Sequence, residues 1–210
     1  MKPSTLRLTT LVLSLAASGF ASAETYIVDR YQDDTAKGSL RWAIEQSNAN
    51  ATQENEIQIQ AVGQAPYVIK LNQALPPIKS SVKIIGTQWD KTGEFIAIDG
   101  SNYIKGEGAK ACPGANPEQY GTNVRTTTLP GLVLQDVNSV TLKGLDIHRF
   151  CIGVLVNRSS NNLIQHNRIS NNYGGSGVML TGDDGKGNPT STTTNNNKVL
   201  NNLFVDNGDG

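Results

Sequence analysis

The chain has 210 residues, enough for one domain with a substantial core, and its charges balance, with 18 Lys and Arg against 18 Asp and Glu. Because neither sign is in excess, the composition argues against nucleic acid and against an anionic membrane as partners. Aromatic residues make up only 6% of the chain, which suits a core filled by aliphatic side chains.

Residues 1–23 have the pattern of a cleavable secretory signal. Lys2 and Arg7 form a positive start, residues 8–20 are largely apolar, and a small-residue site ends at Ala23. We expect cleavage after Ala23 and export to the periplasm. No later run reaches the length of about 18 apolar residues typical of a spanning helix, so the sequence predicts no membrane insertion of the mature chain.

Residues 24–50 are predicted to close one end of the fold. Residues 25–29 (TYIVD) have strand character, and residues 38–50 (GSLRWAIEQSNAN) have a helical stripe that begins at Ser39, a good N-cap. Repetitive β-structures need a cap over their first open edge. We therefore expect a strand and a capping helix here.

Residues 51–210 are predicted to form the coils of a β-helix, interrupted by two long loops. Short strand-like runs lie at residues 56–60, 67–71, 82–85 and 95–98. The loops at residues 101–125 and 182–196 are rich in Gly, Pro and polar residues and lack periodicity. Loops that leave a regular solenoid are common places for functional sites.

A repeat of about 22 residues recurs through the second half of the chain. Residues 131–147 (GLVLQDVNSVTLKGLDI) are followed by residues 153–169 (GVLVNRSSNNLIQHNRI), and a third copy is divided between residues 177–180 (GVML) and 197–204 (NKVLNNLF). Each copy holds short β-branched runs between Asn, Ser and Gly turns. Stacked coils of such strands form a parallel β-helix, so the predicted fold class is all-β, a right-handed parallel β-helix solenoid.

Residues at the same phase of a stacked coil should form columns. We predict two inward columns, Leu142 with Ile164 and with Val199 or Leu200, and Ile147 with Ile169 and Phe204. We predict three turn pairs, Asn162 with Asn197, Asn171 with Asp206, and Asn172 with Asn207. Asn tolerates left-handed turns, and stacked amides can hydrogen-bond along a column, so most asparagines here are interpreted as scaffold.

The pattern is still repeating at residues 207–210 (NGDG), where a further coil begins. A terminal coil would need a cap. We therefore expect the chain to be the N-terminal part of a longer β-helix protein, with part of the active site outside it.

Two cysteines, Cys112 and Cys151, remain after the signal. An oxidising compartment allows them to pair, and a bridge would tie the first long loop to a coil. The sequence leaves open whether they pair. A zinc site is disfavoured because there are only two thiols and no C-x-x-C pair.

Histidine and arginine supply the first candidates for chemistry. His148 and His166 are candidate proton shuttles, since histidine changes charge closest to neutral pH; the alternative is that both are solvated turn residues. Arg149 and Arg168 are candidates for binding a substrate carboxylate, which the planar guanidinium matches. Asp146 shares the phase of Arg168, so a surface ion pair of little energetic value is the alternative.

The second loop supplies further candidates. Asp183 and Asp184 lie in GDDGKGN, where adjacent carboxylates could hold a divalent cation or act as acid or base. The spacing does not match a calcium loop, and a solvated loop is the alternative. Lys186 and Tyr173 are further substrate-binding candidates. Whether a cofactor is needed stays unknown, with a divalent metal as one possibility.

Several segments resemble a known family. The run KGSLRWAIEQSNAN is similar to the capping segment of exported bacterial β-helix proteins. Together with ETYIVDRYQDD, IIGTQWDKTGEFIAIDGSNYIKGEG and HRFCIGVLVNRSSNNLIQHNRISNNYGG, it resembles the exported 3-dehydroshikimate dehydratases of bacterial quinate and shikimate catabolism. The resemblance covers essentially the whole mature chain. It implies a hydro-lyase that converts 3-dehydroshikimate to protocatechuate, and it carries no short catalytic motif.

That reaction needs a base, an acid for the leaving oxygen, and cations for a carboxylate and a developing enolate. We assign proton transfer to His148 or His166, carboxylate binding to Arg149 and Arg168, and a metal or base role to Asp183 or Asp184. Two alternatives stay open. One is a β-helix polysaccharide lyase or glycoside hydrolase, and the other is a non-catalytic surface or adhesive β-helix.

Overall fold

The structure is a computed structural model that describes residues 23–87, 92–105, 112, 129–182 and 194–208. Within these ranges the regular structure is parallel β-strand apart from one α-helix, α1 (Leu40–Ala49). No helix in this part of the chain is long and apolar enough to cross a membrane. Of the predicted signal segment, only Ala23 lies inside the described ranges.

The strands form three parallel sheets. In chain order they are β1 (Thr25–Val28), β2 (Asn55–Ile59), β3 (Tyr67–Lys70), β4 (Val82–Ile85), β5 (Ile96–Asp99), β6 (Pro130–Gln135), β7 (Thr141–Lys143), β8 (Leu145–His148), β9 (Ile152–Asn157), β10 (Leu163–Gln165), β11 (Arg168–Ser170), β12 (Ser176–Thr181), β13 (Lys198–Leu200) and β14 (Leu203–Val205). Sheet A has the order β1-β2-β4-β7-β10-β13, sheet B the order β14-β11-β8-β5-β3, and sheet C the order β12-β9-β6.

From Pro130 onwards each coil contributes one strand to sheet C, then one to sheet A and one to sheet B. Successive coils pair in parallel, as β6 does with β9 and β9 with β12. The parallel β-helix predicted from the repeat is therefore confirmed. The four strands predicted before the first loop are present, with bounds that differ from the prediction by at most one residue.

The predicted inward columns are confirmed by the strand register. Leu142 pairs with Ile164, and Ile164 pairs with Val199 rather than with Leu200. Ile147, Ile169 and Phe204 form the second column. The column members in the middle coils are essentially inaccessible to solvent, and full burial of one such aliphatic side chain stabilises the fold by about 1.5–3 kcal/mol.

Asparagines at the corners of the coils form hydrogen-bonded ladders. Asn162 donates from Nδ2 to Oδ1 of Asn197 at 2.8 Å, and Asn172 donates in the same way to Asn207 at 2.9 Å. A third ladder, absent from the predicted turn pairs, joins Asn167 to Asn202 at 3.0 Å. These contacts satisfy amide groups that the coil buries at its turns.

The corners also require left-handed backbone, and the same phase adopts it in successive coils. Arg149, Asn171 and Asp206 form one such column, with φ of 62°, 55° and 48°. Gly144, His166 and Asn201 occupy another, with φ of 73°, 53° and 54°. Glycine and asparagine adopt this conformation at low cost, so arginine and histidine are the unusual residues in these columns.

Helix α1 packs on the first strands of the coil. Ser39 is its N-cap and accepts a hydrogen bond at Oγ from the backbone N of Trp42 at 3.1 Å. Leu40, Ala43 and Ile44 are buried in the same core as the coil residues. The helix thus covers core side chains beside β1 and β2, in the place where the sequence predicts a capping helix.

Cys112 and Cys151 form a disulfide. Cys151 directly precedes β9, and Cys112 belongs to the first long insertion. Around the bridge lie Ile104, Tyr103 and Leu129, which form a small apolar cluster that touches the main core through Tyr103. The pairing that the sequence left open is therefore present in the structure.

Candidate active site

The outer face of sheet B carries a group of charged side chains. In β8, Ile147 faces the core, so Asp146 and His148 on either side of it face outwards. Register pairs His148 with Asp99 of β5, and Asp146 with Arg168 of β11. Arg149 follows directly after β8. We call the five residues Asp99, Asp146, His148, Arg149 and Arg168 the His148 cluster.

Asp99 is the most deeply buried member of the cluster, with 1% of its surface exposed. Its Oδ1 accepts a hydrogen bond from the backbone N of Ser101, and its Oδ2 accepts one from Ser101 Oγ, both at 2.9 Å. Arg149 donates from Nη1 to Oδ2 at 3.3 Å. Nε2 of His148 lies 3.7 Å from Oδ1, beyond hydrogen-bonding distance.

Asp146 is 6% exposed and faces the other side of the imidazole. Its Oδ2 lies 3.1 Å from Nδ1 of His148 and 3.9 Å from Nη1 of Arg168. Its Oδ1 is buried and has no hydrogen-bond partner, and the same is true of Nε of Arg168. The histidine therefore sits between two buried carboxylates, Asp99, which accepts three hydrogen bonds, and Asp146, whose close polar contacts are His148 and Arg168.

Arg168 also contacts an aromatic ring. Its Cζ lies 5.8 Å from the centroid of Phe95, directly before β5. Such cation–π contacts orient the guanidinium plane and shield it from water. The side chain is 38% exposed, so part of the guanidinium still faces solvent and can meet an anionic ligand.

The residue after Arg149 belongs to the core and makes an aromatic contact. Phe150 follows Arg149 and is 1% exposed, and the ring of Tyr103 packs against it with a centroid distance of 6.4 Å. Burial raises the pKa of the Tyr103 hydroxyl above its ordinary value, so this side chain is a neutral hydrogen-bonding group near pH 7 and not an anion.

The structure brings together only some of the candidate residues predicted from the sequence. His148, Arg149 and Arg168 lie in the cluster. His166 lies in the left-handed turn between β10 and β11. The residue that pairs with His148 in the next coil is Ser170, four positions after His166. His148 therefore lies on a strand face and His166 in a turn.

The remaining candidates lie elsewhere. Tyr173 is at the corner after β11, where its hydroxyl donates to Oδ1 of Asn171 at 2.7 Å. Asp183, Asp184 and Lys186 lie outside the described residues, so their roles stay predictions.

Asp99 does not stand out in the sequence because the first coils are irregular. Asp99 and His148 are neighbours in register, but the first long insertion separates them in sequence, and the repeat of about 22 residues does not extend across it. One signal was available: in IAID, Ala97 and Asp99 occupy the outward phase of a strand whose isoleucines face the core.

The cluster is suited to acid–base chemistry on an anionic ligand. Two carboxylates and two guanidinium groups balance, so the proton on the imidazole decides the net charge of the cluster.

Among the described residues, no three His, Cys, Asp or Glu side chains lie close enough together to hold a metal ion. A groove of about 720 Å³ on the outer face of sheet A, lined by Glu54, Thr141 and Lys198 among others, contains neither histidine nor arginine.

Comparison with known proteins adds two findings. The family model described as right handed beta helix region matches residues 82–210. A curated 3-dehydroshikimate dehydratase from Acinetobacter baylyi (strain ATCC 33305 / BD413 / ADP1) is 84% identical to this chain over 210 residues. The match covers 100% of this chain and 43% of the relative, so the chain spans less than half the length of that protein.

Proposed function

The chain belongs to the right-handed β-helix family, and from that premise we propose that it acts as a hydro-lyase that dehydrates 3-dehydroshikimate to protocatechuate. The observation that carries the proposal is the 84% identity to a curated dehydratase of that substrate over every residue of this chain. The same similarity counts against a polysaccharide lyase, a glycoside hydrolase and an adhesive protein.

The reaction sets clear demands on a site. A proton leaves the carbon next to the ketone, the C–O bond of the β-hydroxyl breaks, and the leaving oxygen takes up a proton and departs as water. The ring then gains its aromatic character by loss of a further ring proton to the ketone oxygen. A general base, a proton donor, and cations for the carboxylate and enolate oxygens are therefore needed.

The His148 cluster meets these demands within one face of sheet B. The imidazole of His148 is the group that can accept and return a proton. Arg149, whose side chain is 59% exposed, and Arg168, which is 38% exposed, can bind the carboxylate or an enolate oxygen from two neighbouring coils. His166 lies in a turn and is the weaker of the two histidine candidates.

Export to the periplasm is part of the proposal. It is supported by the positively charged, apolar and small-residue pattern of residues 1–23, and a role in quinate and shikimate catabolism would follow from the substrate. The test is N-terminal sequencing of protein recovered from the periplasmic fraction of a bacterium that expresses the chain. A start at Glu24 is expected, and an uncleaved cytoplasmic product would overturn this part.

Activity is best tested in two forms of the protein. The first is the 210-residue chain, and the second is the same chain joined to the remaining part of the Acinetobacter relative, with that relative as positive control. Formation of protocatechuate is followed by its absorbance, with and without added divalent cations. If neither form produces protocatechuate while the relative does, the proposed function is overturned.

Variants then test the site. His148→Gln should lower kcat by about 10²-fold or more, the usual contribution of a general acid or base. His166→Gln is the matched control, because it removes the other histidine and should leave kcat within about threefold. Equal losses in the two variants would contradict the assignment to His148.

A further inference from the structure

We infer that Asp146 is the positioning residue of the His148 cluster. It holds a proton on Nδ1 of His148, which leaves Nε2 as the basic nitrogen of the ring. The inference deepens the proposed function and rests on it for its consequence in catalysis. The arrangement of the side chains supports it independently of any activity.

The two carboxylates beside His148 have different tasks. Asp99 accepts hydrogen bonds from the backbone and hydroxyl of Ser101 and from Arg149. Its charge is thus already compensated, and its nearest approach to the imidazole is 3.7 Å. Asp146 has no comparably close guanidinium, because Nη1 of Arg168 is 3.9 Å away. The imidazole is therefore its closest cationic or proton-donating neighbour, at 3.1 Å.

The second oxygen of Asp146 shows that this carboxylate is not optimised for stability. Oδ1 is buried without a hydrogen-bond partner, and an unsatisfied buried acceptor destabilises a fold by about 1–3 kcal/mol. Buried polar groups that lack partners call for an explanation beyond stability. A functional task for the carboxylate is such an explanation, since folding alone would favour a neutral side chain at this position.

The charged groups around the ring decide which nitrogen carries the proton. A carboxylate accepts a hydrogen bond and cannot donate one when ionised. Asp146, 3.1 Å from Nδ1, therefore favours the tautomer with the proton on that nitrogen, and protonation of one nitrogen leaves the other as the base. Nε2 then carries the lone pair that could remove a proton next to a ketone, and its nearest charged neighbour, Oδ1 of Asp99, is 3.7 Å away.

The test is nitrogen NMR spectroscopy of the single imidazole. The chain contains two histidines, so His166→Gln leaves His148 alone in a protein expressed without a histidine tag. Long-range ¹H–¹⁵N spectra, recorded where the ring has finished titrating to its neutral form, show which nitrogen is protonated. We expect a protonated Nδ1 in this parent and a shift of the tautomer population towards protonated Nε2 after Asp146→Asn.

Asp99→Asn is the matched control for the spectra, because it changes the other carboxylate and should keep the proton on Nδ1. The inference is overturned if Nε2 is protonated in the parent, or if Asp146→Asn leaves the tautomer unchanged. Circular dichroism establishes that each variant is folded, and Asp146→Glu, which keeps the carboxylate, should restore the parent tautomer at least in part.

Turnover supplies the second measurement. Asp146→Asn should lower kcat by about 10²-fold with a smaller effect on KM, and Asp146→Glu should recover part of the loss. Asp136→Asn, at a corner remote from β8, should change neither value. If no form of the protein makes protocatechuate, the proposed function fails while the spectra still decide the role of Asp146. If turnover is present but insensitive to Asp146→Asn, the positioning role is wrong.

Discussion

Arg149 reaches Asp99 across a separation of 50 residues, donating from Nη1 to Oδ2 at 3.3 Å. It does so from a left-handed corner with φ of 62°, a conformation that costs a residue with a Cβ about 1–2 kcal/mol. Its column neighbours in the next coils, Asn171 and Asp206, are residue types that tolerate this backbone. An arginine at a strained corner, with its side chain largely in solvent, indicates a task other than folding.

We therefore predict that Arg149→Asn separates stability from activity. Relief of backbone strain offsets the loss of a partly exposed ion pair, which is worth about 0.2–1 kcal/mol, so the free energy of unfolding should change by less than about 1 kcal/mol. KM for 3-dehydroshikimate should rise about tenfold or more, the equivalent of about 1.4 kcal/mol. Steady-state kinetics and urea unfolding measure the two effects.

Arg158→Asn is the control for that prediction. Arg158 also occupies a left-handed corner, with φ of 46°, and pairs with Asp136 away from the His148 cluster. Its substitution should leave KM unchanged. An equal rise of KM in both variants would point to a general effect on the coil and not to a substrate contact.

The asparagine ladders should contribute strongly to stability, and Asn167 is the best position to test. It is fully buried, accepts from the backbone N of Leu145 at 3.1 Å, and donates to the backbone O of Leu142 at 3.0 Å. Asn167→Ala leaves these groups without partners, so we expect a loss of about 2–4 kcal/mol in the free energy of unfolding. Asn161→Gly, at an exposed left-handed position, should cost less than about 1 kcal/mol. Comparable losses in urea unfolding would contradict the ladder's role.

Gly100 packs directly against the backbone of the Arg149 corner. A Cβ there would lie 2.3 Å from the backbone O of Arg149 and 2.6 Å from Cδ1 of Phe150. Gly100→Ala should therefore displace the Arg149 corner, cost about 1–3 kcal/mol of stability, and lower kcat/KM. Gly63→Ala is the control, because the φ of Gly63 is 82° but a Cβ added there would have no neighbouring atom within 4 Å. Only backbone strain of about 1–2 kcal/mol is therefore expected, with unchanged kinetics.

The disulfide should stabilise the fold by restricting the unfolded chain. Cys112 and Cys151 are 39 residues apart, and the loop-entropy relation gives about 4 kcal/mol for a loop of that length. Thermal melts of the chain should therefore shift to lower temperature on addition of a reducing agent. The double variant Cys112→Ala with Cys151→Ala should already melt at the lower temperature and show no response to the agent. A reduced chain with the same melting temperature as the oxidised chain would refute this prediction.

The ion pair between Asp136 and Arg158 should make stability depend on acid pH. Hydrogen bonds from Arg158 are the main cause that lowers the pKa of the Asp136 carboxyl below its ordinary value of 3.8. The folded state therefore binds a proton less readily than the unfolded state. The pair's contribution is fully present above the unfolded pKa and is lost as pH falls through the lower, folded pKa. The stability difference between the parent and Asp136→Asn should be constant from neutral pH down to about pH 5 and shrink below about pH 4. A difference that persists undiminished at lower pH would contradict this cause.

Much of the coil could be predicted because its structure repeats in sequence. The repeat places Leu142, Ile164 and Val199 at one phase, and any strand stacked in parallel at that phase must bury them together. It also predicted that Asp146 and Arg168 would be neighbours. These relations follow from equal spacing along the chain, so no knowledge of distant contacts was needed.

The site depended on contacts that equal spacing does not reveal. Asp99 meets His148 and Arg149 only because sheet B aligns β5 with β8 across the first insertion. The separation of His166 from His148, by contrast, already follows from spacing, because they are about 18 residues apart against a repeat of about 22, and the register pairs His148 with Ser170.

The sequence by itself determined the parallel coil, its inward columns and most of its asparagine corners, because periodicity of apolar and turn residues is a local property. Only the tertiary structure decided which carboxylate faces each nitrogen of His148, which arginine is held by Asp99, and that Cys112 bonds to Cys151. The physical reason is that these relations depend on the register between strands far apart in the chain. That register is set by the packing of the whole coil and not by any single segment.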